Sequence, residues 1–215
     1  MAIEEFGTER DDIEPNKFKK YKGKKGNEDR VGILYPGDVP KKMFKGAPCH
    51  YKDRYYLCKS TKGNKEICCT HGYDGNTPKY RIGAVLVIYD MVMSEGKPKL
   101  KGFETIPWIF SETMYQKLKS ADEEFSLSDH DIKLKCSNEE FQTIDVTICK
   151  ESIWRSNDKI KTRVMEEASQ HFDNLAKQIA TDFGITEIRE QLGIDAPGMD
   201  DAAADVDLES VIDTI

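Results

Sequence analysis

The residues with the greatest capacity for chemistry are the cysteines and histidines between positions 49 and 71. This stretch holds four of the six cysteines and two of the four histidines. Structural zinc is held by four such side chains in a tetrahedron, commonly as two close pairs. Cys68 and His71 form one pair, separated by two residues, and nine residues separate Cys58 from Cys68. We therefore predict one structural zinc ion on His50, Cys58, Cys68 and His71, with Cys49 and Cys69 as alternative ligands.

A closed set of four protein ligands leaves no coordination position for a reaction. The sequence has no Gly-rich phosphate loop and no His-Glu-x-x-His zinc motif. Asp129-His130-Asp131 is a possible metal-binding nuclease fragment. It lies at a predicted junction of loop and strand, where these residue types usually form a turn and a cap. We predict that the protein is not an enzyme.

The charged residues are distributed very unevenly along the chain. The net charge is −7, but residues 16–65 carry fifteen Lys and Arg against four acids, a local charge of +11. Residues 195–215 carry seven acids and no Lys or Arg. A basic stretch of this kind favours a polyanionic partner. The side chains predicted to contact phosphate are Lys17, Lys19, Lys20, Lys22, Lys24, Lys25, Lys41, Lys42, Arg54 and Lys59.

Tyrosines accompany the basic stretch. Eight of the nine tyrosines fall between Tyr21 and Tyr89. Unpaired bases stack on exposed aromatic rings while Lys and Arg follow the phosphates, and duplex DNA offers no such base faces. This combination indicates single-stranded nucleic acid as the partner. The rings predicted to stack on bases are those of Tyr21, Phe44, Tyr55, Tyr56 and Tyr73.

The acidic C-terminal segment, residues 194–215, is rich in Ala, Asp, Gly and Pro and is predicted to be disordered. It could compete with DNA for the basic stretch in a salt-dependent way. Its tip also carries apolar residues, which a purely solvating tail does not need. We predict that this tip binds partner proteins through Leu208, Val211, Ile212 and Ile215.

The elements that must position these residues are mainly strands. Strands are predicted at residues 31–36, 81–90, 99–110, 131–136 and 141–150, with a helix after Ser111. After Trp154, apolar residues recur at helical spacing from Ile160 to Phe183, with Asn157 as N-cap and Gly184 as the end. A second short helix is predicted over Thr186–Leu192. The pattern favours a mainly β fold with C-terminal helices (α+β), built on a small barrel.

The predicted domain organisation follows these changes in composition. Residues 1–30 form a basic N-terminal arm, and residues 31–155 form the binding domain, with the zinc-held insertion at 46–79. Residues 156–193 form the C-terminal helices and residues 194–215 the tail. With no membrane-spanning run and no signal-peptide pattern, we expect a cytoplasmic protein that binds no membrane.

Taken together, these residues resemble the zinc-containing single-stranded DNA-binding, or helix-destabilising, proteins of tailed phages, in particular the T-even type. The spacing Cys58-x9-Cys68-x2-His71 matches that of the family's last three ligands, although His71 replaces a cysteine and the gap from His50 is shorter. The resemblance implies an oligonucleotide-binding (OB) barrel over residues 31–155 and a phage-infected bacterial cell as location. It also implies a protein that coats and protects single-stranded DNA and removes its secondary structure in replication, recombination and repair.

Two further expectations come from the same resemblance. Lys59-Ser60-Thr61-Lys62 is similar to a Lys/Ser/Thr motif that the family uses for cooperative contacts, which implies self-association along DNA. The family's acidic tail contacts replication and recombination proteins. The alternative function that the residues leave open is a zinc-containing transcription or RNA-binding regulator that docks on RNA polymerase. Such a regulator would prefer one site, whereas a replication protein binds any strand.

Overall fold

The computed structural model describes residues 20–37, 39–51, 54–59, 77–137 and 144–192. These residues form an antiparallel sheet of seven strands with three helices, which confirms the mainly β class with C-terminal helices. The strands are β1 (Glu28–Leu34), β2 (Lys45–Tyr51), β3 (Tyr55–Leu57), β4 (Lys79–Ser94), β5 (Lys97–Ser111), β6 (Ile132–Cys136) and β7 (Ile144–Ile148). The helices are α1 (Glu112–Glu124), α2 (Asp158–Ile179) and α3 (Ile185–Leu192), and a 3-10 turn covers Pro40–Lys42.

The long strand β4 organises the sheet. Its apolar run Ile82–Val87 is buried without interruption, as expected for a strand covered on both faces. β5 pairs with it from Arg81 to Ser94. The opposite edge is shared, because β2 pairs with residues 79–83 and β1 with residues 85–88. β4 and β5 are joined by the two-residue turn Glu95-Gly96, where both φ angles are positive (54° and 76°), as tight hairpins require.

The order of the main strands is that of a Greek key. β1, β4 and β5 follow one another in the sheet, and β6 returns through α1 to pair with the free edge of β1. The resulting spatial order, β6-β1-β4-β5, places the fourth strand beside the first. β7 extends the sheet from β6, and the β2–β3 hairpin is an insertion between β1 and β4 that rests on the start of β4.

Helix α2 covers β4 and β5 and belongs to the same core as the sheet. Val164, Ala168, Leu175 and Ile179 are all buried in that core. The contact is close at Gly83, where a Cβ atom would lie 3.0 Å from side-chain carbons of both Leu175 and Ile179. A larger residue at this position would therefore push the helix away from the strand.

The helices differ from the sequence-based prediction mainly at one end. Asn157 is the N-cap of α2, as predicted, and its side chain accepts hydrogen bonds from the backbone N–H groups of Lys159 and Ile160. The helix ends at Ile179, however, and not near Gly184. The chain becomes extended at Ala180, and Thr181 forms a parallel bridge with Tyr56 of β3. Pairing with a strand edge has replaced the last predicted turn of helix.

Residues 20–27, assigned to the basic arm from sequence, connect two strand edges. The Tyr21 N–H donates to the carbonyl of Pro107 on β5 (2.9 Å), and the Gly26 N–H donates to that of Cys136 on β6 (3.0 Å). β1 begins at Glu28, within the span predicted for the arm. The segment therefore lies where a further strand would otherwise pair with the outer edge of β5.

A buried carboxylate joins the strands of the Greek key. Asp131, fully buried before β6, accepts hydrogen bonds from Arg30 Nε (3.1 Å), the Tyr89 hydroxyl (3.0 Å) and the Ile153 N–H (3.0 Å). Arg30 lies on β1 and Tyr89 on β4. Burial and the neighbouring Asp131 raise the pKa of the Tyr89 phenol, so it remains protonated and keeps donating. The carboxylate thus fixes the returning chain against two central strands.

We expect Asp131→Ala to lower the free energy of unfolding by about 3–5 kcal/mol, because the Tyr89 hydroxyl and the Ile153 N–H would lose their acceptor inside the protein. Arg30, which is 26% exposed, would also lose its carboxylate partner. Urea denaturation followed by circular dichroism measures this change. Asp129→Ala is the matched control, since Asp129 also pairs with an arginine but its side chain is 58% exposed. It should cost less than about 1 kcal/mol. Equal, small losses in the two variants would show that the network does not stabilise the fold.

Candidate nucleic-acid interface

The predicted zinc ligands fall partly within the described chain. Cys49 and His50 lie on β2, and Cys58 directly follows β3. Cys68, Cys69 and His71 lie outside the described residues, as do Tyr73 and the whole of the predicted tail. Where the structure describes the chain, no three His, Cys, Asp or Glu side chains come close enough to hold a metal ion. Any zinc at this site would need ligands from outside the described residues, where Cys68 and His71 lie.

The register of the β2–β3 hairpin places the two alternative zinc ligands, Cys49 and His50, on opposite faces. Cys49 is opposite Leu57, and His50 is opposite Tyr56. Side chains alternate along a strand, so His50, Tyr56 and Cys58 share one face. The ring centres of His50 and Tyr56 are 5.6 Å apart in a stacked arrangement, and Cys58 packs against the small cluster formed by Tyr56 and Ile188. Cys49 points into the main core, where its buried thiol donates to the Ala47 carbonyl. Only His50 of this neighbouring pair is on the side of Cys58.

Two rings predicted to stack on bases are buried, and the prediction is corrected for both. Tyr21 is 8% exposed; its hydroxyl donates to Asp29 (2.9 Å) and its ring packs edge-on against Trp108. Tyr56 is 3% exposed between His50 and Phe183. Both rings complete apolar clusters, so neither offers a face to a base in this conformation.

The other predicted rings are more accessible. Phe44 is half-buried and meets Phe110 and Tyr115 edge-on. Tyr55 is half-buried beneath the guanidinium of Arg81, which lies 3.8 Å from the ring centre. Tyr51, whose ring centre is 4.9 Å from that of Tyr55, is 50% exposed. The accessible aromatic surface of the hairpin is therefore the pair Tyr51 and Tyr55, on the face opposite His50.

The predicted cations do not all lie together. Lys17 and Lys19 are outside the described residues, and Lys41 and Lys42 are exposed on the 3-10 turn. Lys25 is exposed beside the Gly26 turn, and Lys59 forms an ion pair with Asp182. The remaining four, by contrast, line neighbouring cavities: Lys20, Lys22, Lys24 and Arg54.

A basic cavity of about 370 Å³ opens between the β2–β3 hairpin, the start of β4 and the end of α2. Four cations line it: Lys20, Arg54, Arg81 and Lys177. None of the described residues in its lining carries a carboxylate. The rings of Tyr51 and Tyr55 form part of its wall. Burial lowers the pKa of Lys20, and the positive charges of Arg81 and Lys22 lower it further. Such crowding of like charges favours an anionic ligand.

Two more cavities adjoin the first through Lys20. One, of about 490 Å³, is also lined by Arg81, Lys22 and the β5 residues Trp108–Ser111. The other, of about 360 Å³, includes Lys22 and Lys24, with Asp29 and Glu104 as its acids. We call the combined surface the basic groove, defined by Lys20, Lys22, Lys24, Arg54, Arg81 and Lys177.

Among the residues that line the 370 Å³ cavity, Tyr51, Arg81, Lys177 and Gln178 were not predicted from sequence. Arg81 lies two residues into β4, the most apolar strand, and Lys177 belongs to a helix, so neither stood out from its sequence neighbours. The signal for Tyr51 was its place among the clustered tyrosines. For the end of α2 there was none, because nothing in the local sequence indicates that it lies beside Tyr55.

Comparisons with protein-family models, with curated proteins and with solved structures found no match. Within the described part of the chain, no helix is both long and apolar enough to cross a membrane.

If zinc binds as predicted, Cys58→Ala should release it while Cys49→Ala keeps about one zinc ion per chain, because only Cys58 shares a face with His50. Zinc measured by mass spectrometry, after dialysis against a weak chelator, tests this. Both substitutions remove one thiol, and circular dichroism establishes that each variant is folded. Retention of zinc by Cys58→Ala, or its loss from folded Cys49→Ala, would contradict the ligand assignment.

Proposed function

We propose that this protein binds single-stranded DNA without strong sequence preference and coats it during replication, recombination or repair. The observation that carries the proposal is the basic groove, in which four cations and two tyrosine rings line one cavity, and none of the described residues in its wall is acidic. Cations that follow phosphates beside rings that stack on bases are the usual means of binding a single strand.

The fold supports the same function. An OB-fold is a five-stranded, partly open Greek-key barrel that binds oligonucleotides on its second and third strands and in the loop joining its first two. Here β1, β4, β5, β6 and β7 would be the five strands. The basic groove lies on β4 and β5 and on the β2–β3 insertion, which joins β1 to β4. We therefore propose an OB-like barrel whose ligand surface is the basic groove.

The proposed zinc ion would stabilise the insertion at residues 46–79. His50 and Cys58 would supply two ligands from the hairpin, and Cys68 and His71 would supply the others. A closed set of this kind contributes directly to folding and has no catalytic position. The ion would hold the long connection after β3 close to the hairpin that carries Tyr51 and Tyr55.

Lys20→Ala and Arg81→Ala should each weaken binding to oligo-dT about tenfold, the expected result of losing one charge-assisted contact. Each should also reduce the slope of log K against log salt concentration by about 0.7. Fluorescence anisotropy of a labelled oligonucleotide at several salt concentrations measures both quantities. Lys101→Ala is the control, because Lys101 is 67% exposed and pairs with Asp90 outside the groove.

The same titration with mixed-sequence single strands and with duplex of equal length tests the function as a whole. Similar affinity for both single strands and much weaker duplex binding is the expected result. Preference for one sequence or for duplex would overturn the proposal. It would favour the alternative function, a zinc-containing transcription or RNA-binding regulator. If Lys101→Ala lost as much affinity for oligo-dT as the groove variants, the groove would not be the binding site. The protein would then bind polyanions in general.

Deletion of residues 195–215 should leave affinity for single-stranded DNA equal or higher, most clearly at low salt, because seven acids that compete for the groove are removed. We propose that the same segment recruits replication, recombination or repair proteins. The deletion should therefore abolish their capture by the immobilised protein. Weaker DNA binding after deletion would contradict the competing role.

A further inference from the structure

A second aromatic surface lies outside the basic groove, around a cavity of about 330 Å³ that we call the Tyr80 cavity. Three rings line it, those of Phe44, Tyr80 and Tyr115. Tyr80 is 45% exposed, and Phe44 meets Tyr115 edge-on with 5.5 Å between the ring centres. One exposed ring is ordinary on a protein surface, whereas three rings around one cavity offer an aromatic surface to a flat ligand.

The backbone of β2 supports the ring of Tyr80. Tyr80 is opposite Pro48 in the pairing of β2 with β4. Two residues before Pro48, a Cβ atom added at Gly46 would lie 2.6 Å from Cε1 of the Tyr80 ring. Glycine therefore allows the ring to lie against the strand. A ring supported in this way loses less conformational entropy when a base stacks on it.

The Tyr80 cavity and the basic groove lie on the same face of the sheet. Phe110 lines the 490 Å³ cavity of the groove, and Ile82, its partner in the β4–β5 pairing, lines the Tyr80 cavity. Paired residues share a face, and so do residues two apart on a strand, which places Tyr80 on that face as well. At the start of α1, Ser111 lines the groove and the next residue, Glu112, lines the Tyr80 cavity. The two cavities are therefore neighbours.

Two of the cations predicted to contact phosphate are close in sequence to the Tyr80 cavity. Lys41 and Lys42 are exposed on the 3-10 turn that precedes Phe44. Glu112 is the one acid among the described residues of the lining, and Lys45 Nζ hydrogen-bonds a carbonyl of α2. Exposed cations next to accessible rings match a nucleotide, whose base stacks while its phosphate pairs.

We propose that the Tyr80 cavity is a second base-stacking site, to which the single strand continues from the basic groove past the start of α1. Tyr80 stacks on one base, and Lys41 and Lys42 contact the phosphates next to it. The inference rests on the proposed function and deepens it, because it lengthens the strand that one protein covers. Stacking on a ring face is tolerant of sequence, so the site adds affinity without base preference.

The test uses labelled oligo-dT of about 4 and about 16 nucleotides, the limits of OB-fold site sizes, with full-length protein and fluorescence anisotropy. Tyr80→Ala should weaken binding of the longer strand about tenfold, through loss of one stacked base, and binding of the shorter strand less than about twofold. Tyr80→Phe should keep wild-type affinity, because stacking needs the ring and not the hydroxyl. Phe125→Ala is the matched control and should change neither affinity, since it removes a ring that is 50% exposed at the opposite end of α1.

The lysines provide a second readout. Replacing Lys41 and Lys42 together by Ala should reduce the slope of log K against log salt concentration by about 1.4 for the longer strand only. Circular dichroism establishes that each variant is folded. Unchanged binding of the longer strand by folded Tyr80→Ala, or an equal loss with both lengths, would overturn the second site alone. Failure of the wild type to bind any single strand would instead overturn the proposed function.

Discussion

The backbone pairing of β4 is the constraint on which the rest of the structure depends. This strand is hydrogen-bonded along both edges, to β5 on one side and to β2 and β1 in succession on the other. Its middle is apolar on both faces, so polar side chains are confined to its ends. Arg81 is therefore placed where β2, β4 and β5 meet. The buried core and the charged cavity are consequently built from consecutive residues of one strand.

The end of α2 is the second fixed point of the groove. The helix stops at Ile179 because the following residues pair with β3: Thr181 N–H donates to the Tyr55 carbonyl and Thr181 C=O accepts from Leu57 N–H. These two backbone bonds hold Lys177 and Gln178 beside the aromatic pair Tyr51 and Tyr55. The cations of the groove come from four separate parts of the sequence, and two of them, Arg81 and Lys177, are positioned by β4 and α2. Under the proposed function, such pre-organisation would reduce the entropy lost on binding a flexible strand.

The sequence alone predicted the secondary-structure elements better than it predicted which side chains come together in space. The apolar run at 81–90 and the Asn157 cap each have a local physical signature, and each is present in the structure. The burial of Tyr21 and Tyr56 has no such signature in the sequence. An aromatic ring within a basic stretch can pack in the core as readily as it can stack on a nucleobase. Arg81 and Gln178 were missed for a related reason: their neighbours in space come from distant elements. Local pattern fixes which strands form, whereas long-range pairing decides which side chains meet.

The alternation of side chains on the β2–β3 hairpin relates the proposed zinc site to the proposed groove. His50, Tyr56 and Cys58 occupy one face, and Tyr51 and Tyr55 occupy the other. β3 has only three residues and so contributes few backbone bonds of its own. A zinc ion held on the first face would restrain the same short backbone that presents the two rings on the second. The metal would then act on DNA binding without touching the strand, by limiting the conformations that the aromatic pair must lose when a base stacks on it.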